Sequence, residues 1–348
     1  MHLPDSTPRR SGRRTPRTRP RRPRTGLIAL AAAGATALAG CGAPGADGGS
    51  GGSADSPEGY PVTVEECGRE VTVEAPPERA VTLNQHATEV MLALGLEDRM
   101  AGTAYLDDAV LPEYEEAYGG IPVLADEYPS FEDLLAAEPD FVYAGYPGSA
   151  FDEAEGRGRD ALEDAGMATY GSLEQCADEV TVETAYQEIR NVGTLFGAED
   201  RADGLVAGIE DRLAEVDGRL EGTDPVDVLV VDSIGGTVFT SGGSGIGDEI
   251  IARAGGRNVF TDLDEVFADV SIEDAAERAP EAILFYDYGA VPVEEKIAAV
   301  EDDPLLSGTP AVEEERYAVL PLSSAVAGVR VGDAVADVAD QLHPGADG

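Results

Sequence analysis

The chain has 348 residues, and its 68 acidic side chains outnumber its 24 basic ones, which gives a formal net charge of −44 at pH 7. Without residues 1–40, which hold nine basic side chains and one acidic one, the charge becomes 15 − 67, or about −52. Because nucleic acids and anionic lipid surfaces attract positive charge, we expect the chain to bind neither of them.

Residues 1–40 have the pattern of a lipoprotein signal peptide. Nine arginines precede an uncharged run from Leu27 to Ala39, which is too short to span a bilayer as a lasting helix. The run ends in Leu38-Ala39-Gly40-Cys41, which resembles the lipobox of bacterial lipoproteins, where the cysteine is acylated and becomes the N-terminus. We therefore expect a lipid anchor at Cys41, on the outer face of the cytoplasmic membrane. An ordinary signal peptide with a chance cysteine is the alternative, and the arginine pairs leave Sec and twin-arginine export both open.

Residues 41–60 are predicted to be a flexible linker. Between Cys41 and Glu58 nearly all residues are Gly, Ala, Ser, Asp or Pro, a composition that cannot bury enough apolar surface to fold. The rest of the chain, close to 290 residues, is long enough for two domains with cores of their own.

From Val62 onward, short β-rich runs alternate with helical patterns, which predicts an α/β fold of mainly parallel sheets with helices on their faces. The predicted strands are Ala80–Leu83, Phe141–Ala144, Val226–Val231, Ala282–Tyr286 and Tyr317–Leu320. The predicted helices are Ala87–Leu94, Phe131–Glu138, Asp248–Ala254 and Ile272–Arg278.

Two stretches of the chain repeat one local pattern. Ser130 begins a Ser-x-Glu-Asp motif and is followed nine residues later by Pro139 and a strand, and Ser271 and Pro280 have the same spacing. Two lobes built on a related plan, residues 61–178 and 224–348, explain this repeat, and a single α/β domain with a chance similarity is the alternative.

The segment 179–223 is predicted to join the lobes as one helical crossing. It is almost free of proline, and it has apolar stripes at helical spacing, one from Val182 to Phe196 and one from Leu205 to Leu220. Such a segment would act as a stiff spine rather than as a flexible hinge.

Two cysteines remain after Cys41 is assigned to lipid. Cys67 and Cys176 form an even pair in an oxidising compartment, which favours a disulfide bond. Free buried thiols are the alternative.

Several motifs in a consistent order resemble the substrate-binding proteins of ABC importers for ferric siderophores and cobalamin. The resemblance covers nearly all of residues 62–344. The matching stretches are Pro76–Leu83, Thr88–Gly95, Leu134–Val142, Gly255–Phe260 and Gly328–Pro344. It implies two rigid, Rossmann-like lobes on a long helix, with a cleft between them that holds a chelate and delivers it to a permease dimer.

Candidate ligand-binding residues lie in loops rich in aromatic and small polar side chains, because ligands of open α/β sheets collect at the carboxyl ends of strands, where loops converge. A tyrosine ring packs on ligand carbon and its hydroxyl bonds to oxygen, although any single tyrosine can equally be a packing residue. The candidates are Asn84, Gln85, His86, Tyr105, Tyr128, Tyr146, Ser244, Phe267, Tyr288, Ser324 and Arg330.

The few basic candidates limit the chemistry of the cleft. His86 is a possible ligand contact or a loop histidine bonded to backbone, and the other histidines, His2 and His343, lie in the signal and in a terminal turn. A histidine-rich metal site is therefore not expected. Arg330 matches an arginine of the similar family, but it can also be a surface arginine that pairs with this acidic protein.

This scarcity of cations favours one kind of cargo. Ferric catecholates are strongly anionic and usually need several arginines, whereas hydroxamate chelates are neutral or cationic. We expect a ferric siderophore of the hydroxamate type, with iron bound only inside the chelate and no other cofactor.

Glu132 and Glu273, the acids of the repeated motif, have two compatible interpretations. They lie in the first turn of a helix that Ser130 or Ser271 caps, where a negative charge is stabilising. The resemblance also implies that they present one carboxylate per lobe to arginines of the permease.

Two other classes of function, and another cargo within the same class, compete with this one. An enzyme is not expected, because the chain has no Gly-x-Ser-x-Gly, Walker-type or His-Glu-x-x-His motif. The others are a surface lipoprotein for adhesion or sensing, and a binding protein for another chelate such as cobalamin or haem. In each case we expect a monomer.

Overall fold

The computed structural model describes residues 57–346. The predictions for the signal peptide, for Cys41 and for most of the linker therefore lie outside the described residues. Within residues 57–346, no helix combines the length and the apolar character needed to cross a membrane.

The first lobe is built on a five-stranded parallel sheet in the order β5-β4-β3-β6-β7, with an antiparallel hairpin, β1-β2, beside it. Strands β3 and β6, which lie inside this sheet, are buried along their whole length, as expected for a parallel sheet covered on both faces. Its strands are β1 (Val62–Glu66), β2 (Arg69–Val73), β3 (Ala80–Leu83), β4 (Met100–Ala104), β5 (Val123–Ala125), β6 (Phe141–Ala144) and β7 (Ala168–Gly171). Its helices are α1 (Gln85–Ala93), α2 (Glu115–Tyr118), α3 (Phe131–Ala136), α4 (Pro147–Ala150) and α5 (Arg159–Asp164).

The segment between the lobes forms two helices, α6 (Val182–Phe196) and α7 (Glu199–Arg219). Gly197 ends α6 in the left-handed conformation, at φ 64°, which glycine adopts without steric cost. The longer helix, α7, has 21 residues and would be about 31 Å long. The predicted helical connection is therefore present, but a glycine break divides it into two helices.

The second lobe contains a four-stranded parallel sheet, in the order β11-β8-β13-β14, and a three-stranded antiparallel sheet, in the order β12-β10-β9. Its strands are β8 (Val226–Val231), β9 (Ser233–Ile234), β10 (Val238–Ser241), β11 (Gly256–Asn258), β12 (Phe267–Val270), β13 (Ala282–Asp287) and β14 (Tyr317–Pro321). Its helices are α8 (Ile246–Arg253), α9 (Ile272–Glu277), α10 (Val293–Asp302), α11 (Pro310–Glu313) and α12 (Val331–Leu342).

Helix α7 is the spine that connects the two lobes. Near its start, Arg201 donates a hydrogen bond to the carbonyl of Gly95 in the first lobe, at 2.8 Å. Near its end, Arg219 pairs with Asp340 of α12 in the second lobe. An apolar cluster that includes Val206 of α7 is shared with core residues of both lobes, so the spine is part of a continuous core. The fold is the predicted one: an α/β protein with two lobes and a helical spine.

The repeated motif folds in the same way in both lobes. The hydroxyl of Ser130 accepts a hydrogen bond from the Asp133 backbone N–H at 3.1 Å, and that of Ser271 accepts one from Asp274 at 3.0 Å. Each short helix, α3 and α9, then ends just before a residue at φ 49°, which is Glu138 in one lobe and Ala279 in the other. The predicted repeat is therefore present in the local structure of the helices and of their turns.

The predicted disulfide bond is confirmed. Cys67, in the turn between β1 and β2, is bonded to Cys176, and their Cα atoms are 5.5 Å apart. The bond closes a loop of 109 residues and ties the hairpin to the segment that leads into α6.

Candidate functional site

The carboxyl ends of strands from both parallel sheets meet at one cavity of about 220 Å³. The loops after β3, β4, β5 and β6 reach it from the first lobe, and those after β13 and β14 reach it from the second lobe. This is the place where open α/β sheets bind ligands. The lining residues are Gln85, His86, Tyr105, Asp107, Tyr128, Tyr146, Ser149, Tyr288, Leu322, Ser323 and Val326.

Six of the predicted ligand-binding residues line this cavity, namely Gln85, His86, Tyr105, Tyr128, Tyr146 and Tyr288. Among them, Gln85 is held by the loop after β4, since its side chain donates to the carbonyl of Ala109 and accepts from the backbone N–H of Asp108. Four tyrosines from separate loops therefore meet in one cavity. Their order in the sequence did not establish that they come together.

Asn84 does not line the cavity but contacts residues that do. It is fully buried, and its backbone lies at φ 79° and ψ 155°, a conformation that is rare for any residue other than glycine. Its side-chain oxygen accepts hydrogen bonds from the Tyr128 hydroxyl and from the Tyr146 backbone N–H, both at 3.1 Å. Asn84, predicted as a ligand contact, thus holds two of the cavity tyrosines in place.

The aromatic side chains of the first lobe pack on one another. The rings of Tyr105 and Tyr128 are stacked, with centroids 4.7 Å apart, and the edge of Tyr146 meets His86 at 4.9 Å. The guanidinium of Arg157 lies 5.3 Å from the centroid of the Tyr128 ring, close enough for a cation–π contact. These contacts hold the rings of this cavity wall against one another.

His86 is a neutral side chain in this setting. It is almost completely buried, and burial lowers the pKa of its imidazole to about 4, because the charged form cannot be solvated. Its ring lies against the backbone of Gly145, where a Cβ atom would come within 2.4 Å of Nε2. Only glycine at position 145 leaves room for this histidine.

Asp107 is a cavity residue that the sequence did not single out. Burial raises the pKa of its carboxyl group, and the neighbouring Asp108 raises it further. Burial and then the charge of Asp107 raise the pKa of Tyr288, and both residues line the cavity. Asp107 lies two residues after Tyr105 in the same loop, but the sequence does not distinguish it from the many other acidic residues of the chain.

Arg330, predicted to contact the ligand, is instead committed to an ion pair between the lobes. It is buried, and its Nε donates to Glu89 of α1 at 2.7 Å. A second bond to Glu89 comes from Nη2, which also donates to the carbonyl of Ala109 at 2.9 Å, while Nη1 donates to Ser323 at 3.1 Å. Each guanidinium nitrogen thus has a protein acceptor, and the side chain is neither at the surface nor in the cavity lining.

The remaining predicted contacts, Ser244, Phe267 and Ser324, are not among the residues that line the cavity. The carbonyl of Ser244 accepts the Val180 backbone N–H at 2.9 Å, which fixes the start of the spine segment to the second lobe. Phe267 stacks on Phe239 in the antiparallel sheet, with ring centroids 5.4 Å apart. Ser324 lies in the short turn after β14, in which its neighbour Ser323 lines the cavity.

A second polar contact joins the lobes beside the cavity. The carboxylate of Glu174, near the disulfide, accepts the backbone N–H of Ala327 at 3.0 Å. Burial raises the pKa of Glu174 to about 7, and the bond from Ala327 only partly opposes this shift.

Within residues 57–346, no group of three or more His, Cys, Asp or Glu side chains is placed to hold a metal ion. The cavity offers aromatic faces, hydroxyls and one carboxylate, which suit a bulky organic ligand better than a bare ion.

Two α/β lobes on a helical spine, with an aromatic cavity between them, define a two-lobed solute-binding protein. The chain belongs to the periplasmic binding protein family, whose pattern matches residues 81–322. This is a family of solute-binding proteins rather than of enzymes.

Individual relatives support this membership. An uncharacterized ABC transporter substrate-binding lipoprotein of Bacillus subtilis is 25% identical, over 82% of this chain and 87% of its own length. A vitamin B12-binding protein of Vibrio campbellii is 27% identical, over 60% of this chain and 70% of its own. The structure of an ABC-type Fe3+-hydroxamate transport system from Saccharomonospora viridis has a TM-score of 0.69 and 27% identity, and it matches 82% of this chain and 99% of its own.

Proposed function

We propose that this protein is the extracytoplasmic binding component of an ABC importer and that its cargo is a metal chelate, of which a ferric hydroxamate siderophore is favoured. The observation that carries the proposal is a cavity between the lobes with four tyrosines and, among the described residues, no arginine or lysine in its lining. Tyrosine rings and hydroxyls can hold the carbon skeleton and oxygens of such a chelate. The similarity to the Fe3+-hydroxamate transport system supports this choice.

Lipid attachment at Cys41 would keep the captured chelate close to its permease. The lipobox pattern, the composition of the linker and the similarity to a substrate-binding lipoprotein support an anchor on the outer face of the membrane. Growth with a labelled fatty acid tests this part, since the Cys41→Ala variant should lose both the label and its membrane association.

Docking on the permease would use one glutamate from each lobe. Glu132 and Glu273 are exposed, and each is the second residue of a helix that a serine caps. Two carboxylates in the same local structure, one on each lobe, fit a permease dimer that presents basic groups in pairs.

A second candidate cargo is cobalamin, which the relatives named as vitamin B12-binding proteins favour. Calorimetry with the lipid-free protein, residues 42–348, distinguishes the candidates when a ferric trihydroxamate, a ferric catecholate and cobalamin are titrated in turn. We expect tight binding of the trihydroxamate. Tight binding of the catecholate or of cobalamin alone would refute that choice of cargo, and no binding at all would favour a surface lipoprotein without a transport role.

A further inference from the structure

Among the described residues that line the cavity, Asp107 is the only one with a formal charge at neutral pH. The other lining side chains are four tyrosines, the neutral His86, two serines, a glutamine and two aliphatic residues. The ligand therefore meets a single negative charge and no lining positive charge.

The cations near the cavity are already used by the protein. Arg330 is paired with Glu89. Lys296 is buried, and it donates to the backbone carbonyls of Tyr286 and Tyr288, at 2.6 and 3.2 Å. Arg157 donates to the carbonyl of Ala150 and lies over the ring of Tyr128. None of these three side chains forms an ion pair with Asp107.

The carboxylate of Asp107 has no structural role among the described residues. It accepts no hydrogen bond and forms no ion pair there, in contrast to its neighbour Asp108, which accepts the N–H of Ala109 and the hydroxyl of Ser323. Because burial already raises the pKa of Asp107, its charged form has lost part of its solvation without gaining a partner. A positively charged ligand would supply that partner.

The aromatic residues around Asp107 suit the same charge. Tyr105 and Tyr288 both line the cavity, and Tyr288 is 41% exposed, so its ring is accessible to a ligand. An aromatic face attracts a cation, and an ammonium group between such rings and a carboxylate is a favourable arrangement.

We propose that Asp107 is a specificity-determining residue that selects chelates with a positive charge, and that the ligand places a cationic group, such as a terminal ammonium, beside this carboxylate. This inference rests on the proposed function, and it narrows the cargo to cationic chelates of the hydroxamate class. It assigns rejection of anionic chelates to the same side chain.

A matched pair of probes tests the assignment with the full-length protein purified in detergent. The first probe is the ferric complex of a linear trihydroxamate that ends in a free ammonium, and the second is the same complex with that amine acetylated. Calorimetry should show the cationic probe binding about tenfold more tightly, a difference of about 1.4 kcal/mol. In the Asp107→Asn variant, the two affinities should become equal through a loss for the cationic probe.

Asp126→Asn is the control variant. Asp126 is exposed, belongs to the same lobe and does not line the cavity, so its loss removes the same charge elsewhere and should leave the tenfold ratio unchanged. Equal binding of the two probes by the unmodified protein would overturn the role of Asp107 but leave the proposed function standing. An unchanged ratio of the two affinities in the Asp107→Asn variant would have the same meaning. If the protein binds neither probe, the hydroxamate cargo and the role of Asp107 both fail.

Discussion

The two lobes share a local plan, but they contribute unequally to the cavity. The first lobe supplies seven of its eleven lining residues, including Asp107 and three of the four tyrosines. The second lobe supplies Tyr288 and three residues from the segment after β14. Its buried cations support the interface between the lobes and the backbone near the cavity instead, as Arg330 and Lys296 do. Recognition is therefore expected to reside mainly in the first lobe, with the second lobe acting as a cover.

One feature on the outside is shared by the two lobes. Helices α3 and α9 each have a serine cap and an exposed glutamate, and each is followed two positions later by a residue with positive φ. The repeat is thus preserved where a dimeric partner would meet both lobes, and it is lost where a single asymmetric ligand would bind. Substitutions can test this contrast between two helices that repeat on the outside and a cavity in which the lobes differ.

The largest effect is expected from reversing the charge of both exterior glutamates. Glu132→Lys combined with Glu273→Lys should abolish uptake of labelled chelate by whole cells, because each lobe would then repel a basic permease surface. Ligand affinity should not change, since neither residue lines the cavity.

The matched control is Glu116→Lys with Glu313→Lys. These residues also supply one exposed acid per lobe in the first turn of a helix, but they lie outside the repeated motif. Uptake should persist in this control. If both double variants lose uptake equally, net charge rather than the repeated helices governs docking.

The next effect concerns the ion pair that joins the lobes. Glu89→Ala leaves the buried Arg330 without its carboxylate, and we expect the free energy of unfolding to fall by about 3–5 kcal/mol, as is usual when one member of a buried pair is removed. Urea denaturation followed by circular dichroism measures this change. Glu89→Leu with Arg330→Met removes both charges and should cost clearly less. Equal losses in the two variants would mean that the packing of α1, and not the pair, provides the stability.

The pair also shows where sequence reasoning stops. Strands such as Val226–Val231 could be predicted because a parallel sheet covered on both faces requires a nearly continuous apolar run, which here is interrupted only by Asp227. The partner of Arg330 is 241 positions away in the chain, and no local pattern relates the two residues. Likewise, Ser233–Ile234 is too short a strand to show any periodicity. Local periodicity thus predicted the elements, whereas pairing across the cleft depends on the folded arrangement of both lobes.

Some cavity residues could be predicted from the sequence, and others could not. Tyr146 could be proposed because it closely follows the predicted strand Phe141–Ala144, and the ends of parallel strands converge. The strand before Tyr105, Met100–Ala104, was not predicted, and Tyr105 was proposed only because it follows a run of small residues. Asp107 belongs to such a loop too, but in a chain with 68 acidic residues a single aspartate carries no signal. What distinguishes it is the absence of a partner among the described residues, which only the structure reveals.

The unequal contribution of the lobes to binding can be measured with two tyrosines. Tyr105→Ala removes a ring stacked on Tyr128 and should weaken binding of the ferric trihydroxamate by about tenfold to a hundredfold, or about 1.4–2.8 kcal/mol. Tyr288→Ala removes a more exposed ring of the second lobe, and a loss of only a few-fold is expected. Calorimetry on both variants decides the matter, and a larger loss at Tyr288 would reverse the proposed roles of the two lobes.

The smallest effect is expected at Glu174, where the first lobe contacts Ala327 of the second. Its carboxyl group has a pKa of about 7 in the folded protein, against a usual value of 4.5, so between these values the folded state binds more protons than the unfolded state. Stability should therefore fall as the pH rises from about 4.5 through 7. Glu174→Gln keeps an oxygen that can accept the N–H of Ala327 but does not ionise, so the part of this fall that Glu174 causes should disappear. Above pH 7 the variant should be the more stable protein, by on the order of 1 kcal/mol, because Glu174 is partly exposed and solvent screens its charge.

Urea denaturation at several pH values between 4.5 and 8 measures this difference. Glu127→Gln, at an exposed position of the same lobe, removes one carboxylate without touching the contact and serves as the control. If Glu174→Gln and Glu127→Gln have the same dependence on pH, the interface between the lobes does not respond to ionisation at Glu174. If the free energy of unfolding depends less on pH only in Glu174→Gln, a neutral group is preferred at position 174. This contact would then differ from the one at Glu89, where both members of the pair are charged.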